Sequence, residues 1–245
     1  MTDHPSPWLV VSDVDDTLTG DGDALQRLHD ATADRATRKT GRFFFALNSS
    51  RPADSVDRTV RESFPQGFAP DAVVTAMGTQ VRVAGEWVDE WTDRFADWPR
   101  QHIVDLVLDL GHRPHADEYQ TPHKASFAVP RGDAQTHVLD ALDKQGLAYQ
   151  AIASGGDDFD LLPPEAGKDK ATLFLREHLG VAEDRLVVCG DSANDLAMFH
   201  AAPHAIAVAN ARPELLDRMP KDRAYHAAAP HAAGVHEGLV RLGIL

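Results

Sequence analysis

The sequence predicts an α/β protein: a doubly wound, Rossmann-like parallel-sheet core carrying an inserted α+β cap. Three observations predict it. Short, nearly continuous apolar runs recur along the 245 residues, helix-patterned stretches alternate with them, and the middle of the chain breaks that alternation.

The runs at 8–12, 43–47, 72–75, 186–189 and 205–208 read as strands buried on both faces, because each is nearly continuous in apolar residues instead of alternating. Leu25 and Leu28 begin a helix that stops before Gly41. Ala171, Phe174, Leu175, His178 and Leu179 mark a helical face closed by Gly180. From about 87 to 163 the order reads helix, strand, helix, strand, strand. Ile103, Leu106, Val107 and Leu110 share one helical face with Gly111 as the stop, and 126–129 is a strand. Val138, Leu139 and Leu142 give a second helix ending at Gly146, and strands at 149–153 and 159–162 flank the turn at 154–157. Residues 1–86 and 164–245 are therefore assigned to the core and 87–163 to the cap.

Composition narrows the function. A formal net charge of -14 works against nucleic acid and anionic membranes, since phosphate contacts need a basic footprint. A phosphate-bearing substrate would need a local cation. No apolar run approaches the roughly 18 residues of a membrane span, and the segment before Trp8 lacks a basic start and a long apolar stretch. The expectation is a soluble, cytoplasmic protein with no nucleic-acid or membrane partner, its oligomeric state open and a monomer compatible. The single cysteine, Cys189, makes no internal disulfide and reads as apolar filler. Asn48-Ser49-Ser50 has the form of a glycosylation acceptor, without a secretion signal to support it.

The chemistry concentrates in four elements, in order: Asp13-Val14-Asp15-Asp16-Thr17, Asn48-Ser49-Ser50-Arg51, Gly167-Lys168, and Gly190-Asp191-Ser192-Ala193-Asn194-Asp195. In an extended chain Asp13 and Asp15 point the same way, so both would face one centre at the carboxyl edge of the sheet, where open α/β sheets bind ligands. Carboxylates gathered in one cleft repel, and an oxygen-only set such as Asp13, Asp191 and Asp195 suits Mg²⁺. One cysteine and scattered histidines give no zinc set. Lys168 at a helix start and the Ser49 hydroxyl are natural partners for a phosphoryl group. Taken singly, each element has an ordinary reading as a turn, a helix cap or a solvated lysine. Their joint order favours catalysis. Arg51 either clamps a phosphate or pairs with a carboxylate. Trp87, Trp91, Phe95 and Trp98 have the near-helical spacing of core packing, with a sugar-stacking surface as the alternative. The His- and Ala-rich segment 224–233 yields no chemical reading.

In residue type, order and context these elements resemble the four motifs of the haloacid dehalogenase superfamily of phosphatases. The resemblance implies Asp13 as the nucleophile forming an aspartyl-phosphate and Asp15 as the acid and base, a position where dehalogenases lack an acid. It implies Mg²⁺ held by Asp13, the backbone carbonyl of Asp15, Asp191 and, in or next to that shell, Asp195. Ser49, Ser50, Lys168 and Asn194 would meet the phosphate. Gln120, the run His123 to Phe127, the run Ser154 to Pro163 and Val208-Ala209-Asn210-Ala211 are similar to segments of sucrose-phosphate phosphatases. By that likeness the cap selects the substrate, Gln120 and Lys124 point toward sugar hydroxyls, and the partner is a small sugar phosphate, sucrose 6-phosphate first. Mannosylfructose phosphate, glucosylglycerol phosphate and mannosylglycerate-type esters are alternatives, as is a non-catalytic sugar-phosphate binder. Ser50 stands where the family's Thr-Gly-Arg motif has glycine, which alters the room beside the phosphate.

Overall fold

The computed structural model describes residues 7–37 and 43–245. Its strands are β1 (Trp8–Ser12), β2 (Phe43–Asn48), β3 (Ala72–Thr75), β4 (Gln80–Val83), β5 (Glu86–Trp87), β6 (Arg113–Pro114), β7 (Ala125–Ala128), β8 (Gln150–Ser154), β9 (Asp158–Leu162), β10 (Leu186–Gly190), β11 (His204–Ala207) and β12 (Ala224–His226). Its α-helices are α1 (Gly22–Thr37), α2 (Ala53–Ser63), α3 (Asp89–Thr92), α4 (Arg100–Asp109), α5 (Asp133–Lys144), α6 (Lys168–His178), α7 (Leu196–Ala201), α8 (Pro213–Leu216) and α9 (His231–Arg241).

The five apolar runs become β1, β2, β3, β10 and β11, adjacent in one sheet of order β12-β11-β10-β1-β2-β3-β4-β5. Every pair from β12 to β3 is parallel, and β4 and β5 add antiparallel. β10 is buried along its whole length, as a strand covered on both faces must be. Cover comes from α1 against α9 and from α6 against α7. The chain leaves β1 toward β2 and β3, then returns to β10 on the other side of β1. The crevice at the carboxyl ends of β1 and β10 is thus a topological switch point, the usual ligand site of such sheets.

The sequence reading missed β4, β5, β6 and β12. β4 and β5 close through Ala84 and Gly85, both at positive φ, which is the geometry of a two-residue type I′ hairpin. Alanine carries no turn signal there, so the hairpin is silent in the sequence. Gly41, read as the stop of the first helix, lies outside the described residues.

A second sheet, β6-β7-β9-β8, is antiparallel and has its own core. Period-two alternation sorts its residues. Ala125, Phe127, Phe159 and Leu161 pack with Ile103 and Val107 of α4 and Val138 and Leu142 of α5. Ser126, Asp158 and Asp160 therefore take the opposite face. Trp91 and Phe95 are buried in the large core, with Trp91 stacked near Phe174, while Trp87 is exposed beneath Arg82. The spacing of those aromatics reflects packing, not a sugar platform.

The joint between Gly78 and the start of α6 sets the height of Lys168. Gly78 has φ +86, and a Cβ on it would lie 2.2 Å from the Gly167 carbonyl oxygen. Gly78→Ala should lower stability by about 2–4 kcal/mol, combining left-handed strain with a backbone clash. Thermal unfolding measures it, and a loss below about 1 kcal/mol would contradict the packing described.

Candidate active site

Three strand ends deliver the first, second and fourth motifs. The chain turns after Ser12, so Asp13 and Asp15 stand on a loop and not on the extended strand that the sequence suggested. The Asp13 amide donates to the Cys189 carbonyl at 2.9 Å, which ties the end of β1 to β10. Ser49 follows β2 and donates its amide to Val74 at 3.0 Å; its buried hydroxyl accepts from the Arg51 amide at 3.1 Å. Asp191 follows β10.

Lys168, the first residue of α6, is buried to 1% exposure and spends all three ammonium protons inside the site. Nζ donates to Asp13 Oδ1 at 2.7 Å, to Asp195 Oδ1 at 2.7 Å and to Asn194 Oδ1 at 3.2 Å. Asp195 is fully buried, and its other oxygen accepts from the amides of Asp191 at 3.1 Å and Ser192 at 3.2 Å. A side chain on Gly190 would collide with that carboxylate at 2.6 Å, so the glycine opens the place Asp195 occupies.

Oxygens of Asp13, Asp191 and Asp195 lie within 4.8 Å of one another, the one such cluster among the described residues. At that spacing each ionised pair repels by roughly 3 kcal/mol for an effective dielectric near 20. Three carboxylates against one ammonium leave two negative charges uncompensated. Burial accordingly pushes Asp13 up to about 8 against the lowering pull of Lys168, and burial with Asp195 raises Asp191 to about 6. Lys168 is held above its ordinary range by Asp13 and Asp195, which outweigh its burial. A hard dication with oxygen ligands fits this donor set and its charge deficit.

The remaining predicted residues fall in two groups. Asp15 is half exposed, outside the carboxylate cluster, with its Oδ2 2.8 Å from Arg51 Nε. Arg51 thus clamps a carboxylate. Asn194 and Ser50 line a 510 Å³ cavity together with Asp13, Asp15 and Asp191. Ser50 also borders a second cavity of 330 Å³, which Arg51, His115, Tyr119, Lys124, Ser126, Ser154, Asp158 and Asp160 complete. The polar face of the second sheet forms the roof, and β8 packs against the turn Ala193–Asp195. Lys124 is buried and bridges the layers, donating to the Ser50 carbonyl at 3.1 Å and lying 3.3 Å from Asp160 Oδ2.

Gln120 is placed otherwise. Its Oε1 accepts from Arg100 at 3.1 Å and from the Ser126 amide at 3.0 Å, and its Nε2 donates to the carbonyls of His115 at 3.1 Å and Ser126 at 2.7 Å. Its amide is saturated by the second sheet and lines neither cavity. His115, Tyr119 and Arg131 reach the cavities without any sequence signal, since only the tertiary fold brings their loops there. Asn48 is fully buried and donates to the Lys168 carbonyl at 3.0 Å, so the acceptor tripeptide is structural. Burial likewise raises the Cys189 thiol, which makes it inert.

The sequence model of the sucrose-6F-phosphate phosphohydrolase family matches residues 6–243. The chain belongs to this family. Probable sucrose-phosphatase 3a of Arabidopsis thaliana is 30% identical over 98% of the chain and 60% of its own length. The chain spans about 60% of such plant relatives. A mannosylfructose-phosphate phosphatase of Agrobacterium fabrum is 30% identical over 96% of the chain and 97% of its own length. Among solved structures, the sucrose-phosphatase of Synechocystis sp. PCC6803, in complex with sucrose and phosphate, superposes with a TM-score of 0.86 at 29% identity, covering 96% of this chain and 98% of that one. A haloacid dehalogenase-like hydrolase of Bacillus subtilis, 17% identical with a TM-score of 0.70, shares the fold.

A carboxyl with a raised pKa holds its proton more tightly in the folded protein than in the unfolded chain. Its contribution to stability is full below about pH 4 and is lost as pH rises through about 6 for Asp191 and about 8 for Asp13. Chelator-treated protein should therefore lose melting temperature between pH 5 and pH 8, and Asp13→Asn should flatten that slope. Calorimetry at the two pH values checks this; parallel slopes would contradict it.

Proposed function

We propose that the chain is a Mg²⁺-dependent phosphatase that hydrolyses a sugar phosphate, sucrose 6-phosphate first, through an aspartyl-phosphate on Asp13. The observation that carries this reading is the buried Asp13–Lys168–Asp195 contact beside two adjoining cavities that share Ser50, Ser154 and Asp158. One compartment is next to the nucleophile, and the other is lined by polar and charged groups of the kind hydroxyl-rich ligands need. Residues 164–245 with the amino-terminal portion act as the catalytic core, and the segment around the second sheet acts as the cap.

Asp13, Asp191 and Asp195, with the Asp15 carbonyl, would hold Mg²⁺, which supplies charge neutralisation for the carboxylates and the phosphoryl oxygens. Lys168 keeps Asp13 aligned and offers positive charge to the incoming phosphate, which answers the acidic surface. Ser50 and Asn194 border the phosphate's seat, whereas Ser49, expected there from the sequence, is fully buried, lines neither cavity and accepts from the Arg51 amide instead. In the first step an Asp13 carboxylate oxygen bonds to phosphorus, the ester bond to the sugar breaks, and Asp15 gives its proton to the departing sugar oxygen. In the second, Asp15 takes a proton from water, the hydroxyl oxygen bonds to phosphorus, and the bond to Asp13 breaks to release phosphate. Such covalent division turns one hard displacement into two easier ones, and a positioned acid and base contribute roughly 10²–10⁴-fold. Arg51 joins the two compartments, since it holds Asp15 and borders the sugar cavity.

Lys124, Asp158, Ser126 and the exposed Tyr119 face the sugar side, while Gln120 with Arg100 braces the cap that carries them. The names of the sucrose- and mannosylfructose-directed relatives support a disaccharide, and the second keeps mannosylfructose phosphate as the alternative substrate. Asp13→Asn should abolish turnover, by at least about 10³-fold, in a phosphate-release assay. A panel of sucrose, mannosylfructose, glucosylglycerol and mannosylglycerate phosphates ranks the esters. Undiminished release by Asp13→Asn, or binding of the esters without release by the wild type, would overturn the proposal, the latter in favour of a non-catalytic binder.

A further inference from the structure

We infer that Asn210 and His231 form a latch on the Asp16 backbone that holds the Asp15 carboxyl in reach of the leaving oxygen, which makes both positioning residues for the first chemical step. The inference rests on the phosphatase reading above.

The loop after β1 needs such a restraint. Asp16 has φ +58, a left-handed conformation disfavoured for any residue with a Cβ. Local bonds close the turn: the Asp16 amide donates to Thr19 Oγ1 at 3.2 Å, and Leu18 donates to the Val14 carbonyl at 3.0 Å. They hold the Asp15–Asp16 peptide through its N–H but give the carbonyl of the next peptide, between Asp16 and Thr17, no local partner. Two side chains from distant parts of the chain bind that carbonyl. Asn210 Nδ2 donates to the Asp16 carbonyl at 2.8 Å, and His231 Nδ1 lies 2.9 Å from the same oxygen. A carbonyl only accepts, so this contact assigns the proton to Nδ1.

The latch is braced on its own side. The His231 amide donates to Asn210 Oδ1 at 2.9 Å, which uses both ends of the Asn210 amide and fixes its orientation. His231 is itself left-handed, at φ +51. The imidazole occupies the place where a Cβ of Gly20 would be, 2.5 Å from Cε1, so only glycine at 20 admits the ring. Arg212 adds a looser tie from the same turn to the acid cluster, 3.7 Å from Asp16 Oδ2 and 3.9 Å from Asp191 Oδ2. Two strained backbones meeting at one carbonyl indicate that the surrounding structure enforces the arrangement.

The consequence falls on Asp15. Its side chain is 52% exposed, and Arg51 is its one ion-pair partner among the described residues. The latch acts one residue on: by anchoring the Asp16 carbonyl it limits how far the turn that carries Asp15 can shift. Loosening the latch should impair protonation of the leaving oxygen more than attack on phosphorus.

The test compares two esters. A sugar phosphate expels an alkoxide that needs the proton; p-nitrophenyl phosphate expels a phenolate that does not. For His231→Ala and Asn210→Ala, kcat/KM on the sugar phosphate should fall about 10- to 100-fold, below the full worth of a general acid, while kcat/KM on p-nitrophenyl phosphate stays within about threefold. His231→Asn, which returns a donor near the Nδ1 position, should recover most of the loss. Circular dichroism and melting temperature establish that each variant is folded, and either alanine variant suffices. Equal losses on both esters, or no loss on either, would overturn the latch alone. A wild type inactive on both would overturn the phosphatase reading and the latch with it.

Discussion

The structure turns on one buried ammonium. Lys168 sits with 1% exposure among Asp13, Asp195 and Asn194, and no other cation reaches Asp13 within ion-pair distance among the described residues. A lysine this deep is tolerable only because its three protons are all received. The same contacts leave the three carboxylates short of positive charge. That deficit of two charges suits the cluster to a hard dication, which would bring the site to balance. The formal net charge of -14 works against phosphate-bearing macromolecules over the rest of the surface.

The fold explains how these groups meet. Asp13, Ser49 and Asp191 each follow a parallel strand, and adjacent strand ends lie about 5 Å apart in a sheet. Their convergence needs no long loops. α6 begins at Lys168 because Gly167 and Gly78 allow two backbones to touch, and Gly190 leaves space for the Asp195 carboxylate. Around this rigid floor the second sheet turns its apolar face to α4 and α5 and its polar face to the cavities. Lys124, fixed between the Ser50 carbonyl and Asp160, couples roof to floor. The carboxylate cluster thus belongs to the large core, and the polar roof of the second cavity belongs to a separately packed layer.

How much of this is legible in the sequence depends on locality. β1, β3 and the helical face of α6 are visible because burial on both faces, or on one stripe, writes a pattern into neighbouring residues. Asp13, Asp191, Asp195 and Lys168 are legible because each abuts such an element. The hairpin of β4 and β5 is hidden because Ala84 adopts a glycine-like φ, which leaves Gly85 as the one turn residue between two short strands. β6 and β12, of two and three residues, are too short to show a period. Gln120 illustrates the opposite failure: its position resembles a ligand-binding segment, yet four hydrogen bonds within its own layer consume it. His231, in a segment that offered no chemistry as sequence, acquires meaning only from its contact with Asp16, 215 residues away.

The central claim, that Asp13 is the atom-bonding partner of phosphorus in this cluster, is tested most directly by trapping. Enzyme acid-quenched during turnover of a sugar phosphate, then reduced with borohydride and analysed by peptide mass spectrometry, should carry the reduced phosphoaspartyl signature, homoserine, at position 13. Steady turnover with an unmodified Asp13, or with the label on Asp15 or Asp191, would contradict it.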